Sequence, residues 1–166
     1  MQAPILTHFD VDRYCLLETD ASNTVVVAVF SQLGLDGEYH PIAYFSKSMA
    51  LAKMNYPIYN KEMLAIVRAF EHWRLELEGT DHPVEVLTDH KALEYFMSTK
   101  SLLARQARWA EILSRYNFKI LYRLGKVNKA DPLTRMDIDT QALNQTKEIA
   151  RKQQLIPTDA LDPQIV

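Results

Sequence analysis

The chain predicts an α/β fold with the element order β-β-β-α-β-α-α-β-α, and three observations carry it. Apolar runs rich in β-branched residues recur early, the hydrophobic period becomes helical near residue 59, and shorter strand and helix signals alternate after that. At 166 residues, 48% of them hydrophobic, the chain suits one domain with a buried core. No run approaches the ~18 uncharged apolar residues of a membrane span. The first residues also lack the charged start and apolar block of a signal peptide. The expected setting is therefore intracellular, cytoplasmic or nuclear, with no membrane partner and no secretion. Cys15 is the only cysteine, which excludes an internal disulfide and a cysteine-based zinc site. Within Tyr14-Cys15-Leu16-Leu17 it reads as a buried core thiol.

Residues 13–19 read as a first strand, and Thr24-Val25-Val26-Val27-Ala28-Val29-Phe30 as a second. Leu33 to Glu38 supplies the turn into a third strand, residues 39–46, whose Pro41 fits an edge or a bulge. From about 59 to 78, Met63, Ile66, Val67, Phe70, Trp73 and Leu77 recur at helical spacing, and Gly79 stops the helix. Val84 to Thr88 reads as a fourth strand. Residues 90–98 and 103–115 read as two short helices, the second turning Trp109, Ile112 and Leu113 inward, and 118–122 as a fifth strand. Gly125-Lys126-Val127-Asn128 is a loop, and Asp131 before Pro132 has the form of an N-cap followed by proline at the first helical position. After Arg135 the chain turns polar. The reading is one domain over 1–136 and a helical or flexible extension over 137–166, with Pro157 and Pro163 ending any order.

Asp20, Glu62, Asp89 and Asp131 stand where apolar segments meet polar ones. Two strands end in Thr-Asp, which sets Asp20 and Asp89 at carboxyl ends, where open α/β sheets place their ligands. Glu62 lies about 70° from the centre of its helix's apolar stripe on an ideal wheel, so it can lean toward the sheet edge. Singly, each has an ordinary reading: a cap, a turn residue, an exposed helical acid. Together they form a cluster of like charges that needs a cation, and a pair of hard divalent ions suits all-oxygen ligands. One ion would activate water and the other would stabilise a leaving 3′-oxygen. His90 beside Asp89 points to the other side of a strand-to-helix corner and is not counted among the ligands.

The net charge of −2 does not advertise a nucleic-acid binder, but its distribution does. Lys100, Arg105, Arg108, Arg115, Lys119, Arg123, Lys126, Lys129 and Arg135 face only Glu111 and Asp131 in the same stretch. A basic surface beside an acidic, metal-filled centre is what a phosphodiester substrate requires. A solvated helix face is the competing reading of the basic segment alone.

The chain resembles the ribonuclease H domain of the reverse transcriptase of gypsy-type LTR retrotransposons. The resemblance rests on Glu18-Thr19-Asp20-Ala21-Ser22, Ala43-Tyr44-Phe45-Ser46-Lys47, Asn55-Tyr56-Pro57-Ile58-Tyr59-Asn60-Lys61-Glu62, Leu87-Thr88-Asp89-His90-Lys91-Ala92-Leu93, Arg105-Gln106-Ala107-Arg108-Trp109 and Ala130-Asp131-Pro132-Leu133-Thr134-Arg135. It implies the ribonuclease H-like fold, a mixed five-stranded sheet flanked by helices. It implies Asp20, Glu62, Asp89 and Asp131 as ligands of two Mg²⁺ ions, with Mn²⁺ as a substitute. The implied substrate is the RNA strand of an RNA–DNA hybrid, cut to leave a 3′-hydroxyl and a 5′-phosphate. Arg105, Arg108, Lys126 and Asn128 are the candidates for holding the hybrid. The backbone around Ala21 and Ser22 and the side chains of Tyr59 and Asn60 are the candidates for reading 2′-hydroxyls. The polymerase domain of the same polyprotein is the expected protein partner, with a homodimer as a further arrangement.

The chain departs from that pattern in three places: Val27 where the family usually has Gly, Pro132 where it has Ala, and a Gly125–Asp131 loop one residue short. There is no Tyr-X-Asp-Asp, so the polymerase centre is not on this chain. Two other classes stand beside the nuclease. One is a catalytically weakened or domesticated domain that binds without turnover. The other is a transposase or integrase core, whose third acid would have to be Glu111.

Overall fold

The computed structural model describes residues 6–123 together with 129 and 130. These belong to one compact unit, Met1–Arg135; the extension expected over 137–166 lies outside the described residues. The elements are β1 (Cys15–Ala21), β2 (Val25–Leu33), β3 (Tyr39–Ser48), α1 (Leu51–Met54), α2 (Ile58–His72), α3 (Arg74–Leu77), β4 (Val84–Thr88), a 3₁₀ helix (Lys91–Ser98), α4 (Ala104–Leu113) and β5 (Phe118–Tyr122). The sheet order is β3-β2-β1-β4-β5. The first three strands form an antiparallel meander, while β4 pairs parallel with β1 and β5 parallel with β4, so the sheet is mixed.

β2 is apolar at nearly every position because both of its faces are covered. On one face Val26, Ala28 and Phe30 join Leu17, Met63, Ile66 and Phe70 in the main core beneath α2. On the other, Val25, Val27 and Val29 pack with Ala130. Each fully buried large side chain, Phe30 and Phe70 among them, contributes about 1.5–3 kcal/mol of apolar burial.

Several boundaries differ from expectation for identifiable reasons. The long helix breaks at Trp73, whose backbone leaves the helical region (φ −103, ψ 35) while its ring packs on Phe30 at 5.4 Å and Phe45 at 6.1 Å. α3 then carries the chain to Gly79, whose φ of +80 ends it as the sequence predicts. The segment after Asp89 is a 3₁₀ helix because its buried residues, Leu93 and Phe96, are three apart, the period of that helix. α1 is a single turn without a buried residue, too short to leave a periodic signal. Pro41 stands on edge strand β3 beside a register shift: Phe30 pairs with Ala43 but Ser31 pairs with Pro41, so Ile42 is the extra residue of a bulge.

Candidate metal centre and its basic flank

The centre begins with strand register. β1 and β4 are parallel neighbours with Glu18 opposite Leu87. Continuing that register by two residues sets Asp20 level with Asp89, on strands about 4.8 Å apart. The two Thr-Asp segments are thus one device, used on adjacent central strands. Thr19 reinforces the pairing, its hydroxyl donating to the Leu87 carbonyl at 3.4 Å.

Glu62 comes from the second turn of α2 and is only 2% exposed. The sequence places it at the margin of the apolar stripe; packing closes over that margin. Asp20, Glu62 and Asp89 each offer a carboxylate oxygen, and these oxygens all lie within 4.8 Å of one another. The Ala21 amide donates to Asp20 Oδ1 at 2.9 Å and to Glu62 Oε1 at 3.2 Å, tying the helix to the strand end. Glu62 Oε2 is buried with no hydrogen bond. Burial, and then the charges of Asp20 and Asp89, push the Glu62 carboxyl up to about 9 against the pull of the Ala21 amide. Asp89 is exposed, so the group opens to solvent on its side. An all-carboxylate group with a buried oxygen lacking a donor is a donor set for a hard divalent cation. Asp131 lies outside the described residues, as do Lys126 and Asn128.

His90 is not in that group; its ring meets Tyr59 edge-on at 5.4 Å. Glu111 is exposed on α4, also apart from the acids grouped among the described residues. Other candidates turn out to be engaged within the protein. The Ser22 hydroxyl accepts the amides of Thr24 and Val25, and the Ser22 amide donates to the Val25 carbonyl, so this residue shapes the β1–β2 hairpin. With the Ala21 amide held by the carboxylates, neither backbone donor expected to read a ribose is unengaged. Asn60 is 6% exposed and its carbonyl accepts from the Gln106 side chain at 3.1 Å, while Tyr59 is half-buried.

The Asn60–Gln106 bond holds α4 against the first turn of α2, next to Glu62. Arg105 and Arg108 are exposed on that helix, and the Arg105 guanidinium lies 3.8 Å above the Tyr56 ring. Trp109 is a core residue, as its apolar context suggests. The helix carrying this basic face is therefore held to the helix carrying Glu62 by packing and one part-buried amide pair. Sequence reasoning missed Gln106 and also Lys61, which is buried with its ammonium donating to Asn23 Oδ1 at 3.0 Å. It missed Glu18 too, an acid set among the apolar residues of a central strand.

Residues 10–116 match the family described as the RNase H-like domain found in reverse transcriptase. The Tf2-3 and Tf2-12 transposon polyproteins of Schizosaccharomyces pombe are each 43% identical to the chain over 148 residues, 87% of this chain and 11% of the polyprotein. The chain thus spans about a tenth of the length of these relatives. Among solved structures, LC11-RNase H1 in complex with an RNA/DNA hybrid is similar at 16% identity and a TM-score of 0.56, covering 78% of this chain and 99% of that one. A foamy viral protease-reverse transcriptase in complex with an RNA/DNA hybrid is similar at 17% identity and a TM-score of 0.56, covering 75% of this chain and 17% of that one. These likenesses show the RNase H-like fold. With its sheet, its acids and this match in agreement, the chain belongs to the RNase H-like domain family of reverse transcriptases.

Proposed function

We propose that this chain is the ribonuclease H of a gypsy-type LTR retrotransposon reverse transcriptase, a metal-dependent endonuclease that cuts the RNA strand of an RNA–DNA hybrid. The observation that carries it is the convergence of Asp20, Glu62 and Asp89 on one point, with a buried Glu62 oxygen left without a donor. The 43% identity to Tf2 polyproteins supports the retrotransposon setting. The polymerase domain of the same polyprotein is the proposed partner, and an intracellular site the proposed location.

Asp20, Glu62 and Asp89 would hold two Mg²⁺ ions, or Mn²⁺ in their place, with Asp131 as the fourth ligand. Ions held by these residues would supply a water of lowered pKa and would stabilise charge developing on the leaving oxygen. The chain's own contributions are positional. The Ala21 amide sets the angle between Asp20 and Glu62, and Asp89 presents its carboxylate at the open side. Arg105, Arg108, Lys126 and Asn128 are the proposed contacts to phosphates of the hybrid, and Tyr59 is the proposed contact to its ribose strand.

The test is digestion of a labelled RNA–DNA hybrid, duplex RNA and duplex DNA with Mg²⁺ or Mn²⁺. Cleavage of the hybrid's RNA strand alone, leaving 3′-hydroxyl ends, is the expected result, and an uncut hybrid with both ions would refute the reading. A weakened, binding-only domain is the second reading, favoured by Val27: it is fully buried and pairs with Asp20 across the β1–β2 ladder, at a position where the resemblance implies glycine.

A further inference from the structure

Glu18 is the least expected side chain of the central sheet. It lies in the middle of β1, is 0% exposed, and has no ion pair among the described residues. Burying a polar acid without a full set of partners is unfavourable where a valine would simply pack. Among the described residues its side chain takes one hydrogen bond, from the Lys129 amide to Oε1 at 3.3 Å across 111 residues, while Oε2 is buried without a partner there.

That bond sits beside a second grip on the same piece of chain. Glu18 pairs with Val29 and Asp20 with Val27, so both acids are in register with the valines of the smaller cluster, Val25, Val27 and Val29, outside the main core. Ala130 is fully buried against those three valines. Two consecutive residues, Lys129 by its amide and Ala130 by its methyl, are thus pinned to the strand pair that carries Asp20. The next residue in the sequence is Asp131.

We propose that Glu18 is a positioning residue, which through the Lys129 amide and together with the valine floor under Ala130 sets where Asp131 enters the metal centre. This rests on the reading above that Asp131 is a metal ligand. It gives Val27 a use: its side chain is part of the floor on which Ala130 sits. Such an anchor matters because a ligand displaced by ~1 Å can cost a hundredfold in rate.

The test uses the full chain and two readouts. The first is hydrogen exchange at the Lys129 and Ala130 amides without metal; the second is kcat and KM for hybrid cleavage. Glu18→Ala should speed exchange at Lys129 tenfold or more and lower kcat about tenfold with KM unchanged. Glu18→Gln keeps an acceptor oxygen and should restore both to within threefold of the parent. Ala130→Gly loosens the same anchor with Glu18 intact, and should reproduce the exchange and kcat effects even if Glu18→Ala folds poorly. Unchanged exchange in both Glu18→Ala and Ala130→Gly would overturn the tether. Faster exchange with kcat unchanged, while Asp131→Asn is inactive, would overturn the positioning role alone. Asp131→Asn cutting like the parent would instead refute the ligand reading, and the positioning role with it.

Discussion

Glu62 and Ala21 are joined by a hydrogen bond of 3.2 Å that links helix to strand across 41 residues. The same amide serves Asp20 Oδ1, so one N–H answers two carboxylates in a space that burial has largely closed to water. One donor cannot offset the loss of hydration and the repulsion of two neighbouring acids. This imbalance is why the Glu62 carboxyl holds its proton up to about 9.

The metal-free fold should therefore weaken as pH rises. Below the ordinary value of 4.5 both folded and unfolded chains carry the Glu62 proton. Between 4.5 and about 9 only the folded chain keeps it, so stability falls, by up to about 1.4 kcal/mol per pH unit from this group, and levels off above. Glu62→Gln should remove that slope. Urea unfolding of both proteins in chelator at pH 5, 7 and 9 checks it, and parallel stability curves would refute it.

Divalent ions should reverse the penalty. Binding requires ionised Glu62, so Mg²⁺ or Mn²⁺ should raise the melting temperature, more at pH 8.5 than at pH 7. At one hundred times Kd the gain is about 2.7 kcal/mol. A thermal melt indifferent to both ions would favour the binding-only domain.

Asp20→Asn and Asp89→Asn should each abolish hybrid cleavage without unfolding the protein. Each removes a charge that raises the Glu62 pKa, so metal-free stability should hold or rise near neutral pH. Cleavage assays paired with thermal melts in chelator decide it; variants that cut as well as the parent would dissolve the site.

Arg105→Ala should weaken binding to every hybrid sequence about equally and reduce the slope of log affinity against log salt by roughly one unit or less. Trp109→Ala should instead cost ~3–5 kcal/mol of stability with no selective loss of binding. A salt series of hybrid binding in Ca²⁺, with urea unfolding alongside, separates the two effects.

What was legible in the sequence was what depends on local pattern. Valine-rich runs gave the strands, Thr-Asp endings gave Asp20 and Asp89, Pro41 marked the edge and bulge, and Gly79 marked the helix end. What was hidden depends on pairings between distant residues. Nothing local says that Gln106 meets Asn60 across 46 residues, that Lys61 reaches Asn23, or that Trp73 leaves its helix for Phe30 and Phe45. For Asn60 and Ser22 the motif gives a position near the site, and not which of their atoms are engaged within the protein. For Glu18 a signal did exist: an ionisable residue between Leu17 and Thr19 in a strand covered on both faces has to be explained by something it holds.

The bulge at Ile42 and the proline beside it also bear on how many copies of this domain can share a small volume. β3 is an outer strand ten residues long, and a strand edge of that length is a template for pairing with another chain. Pro41 removes one donor from it, the bulge twists the ladder, and the Thr7 amide donates to the Pro41 carbonyl at 3.2 Å, so the chain's own early segment covers the exposed acceptor. The opposite edge, β5, is five residues long. Aggregation by edge-to-edge addition is thereby resisted on both sides, and replacing Pro41 with a β-branched residue while freeing residue 7 would create the sticky edge that the native sequence avoids.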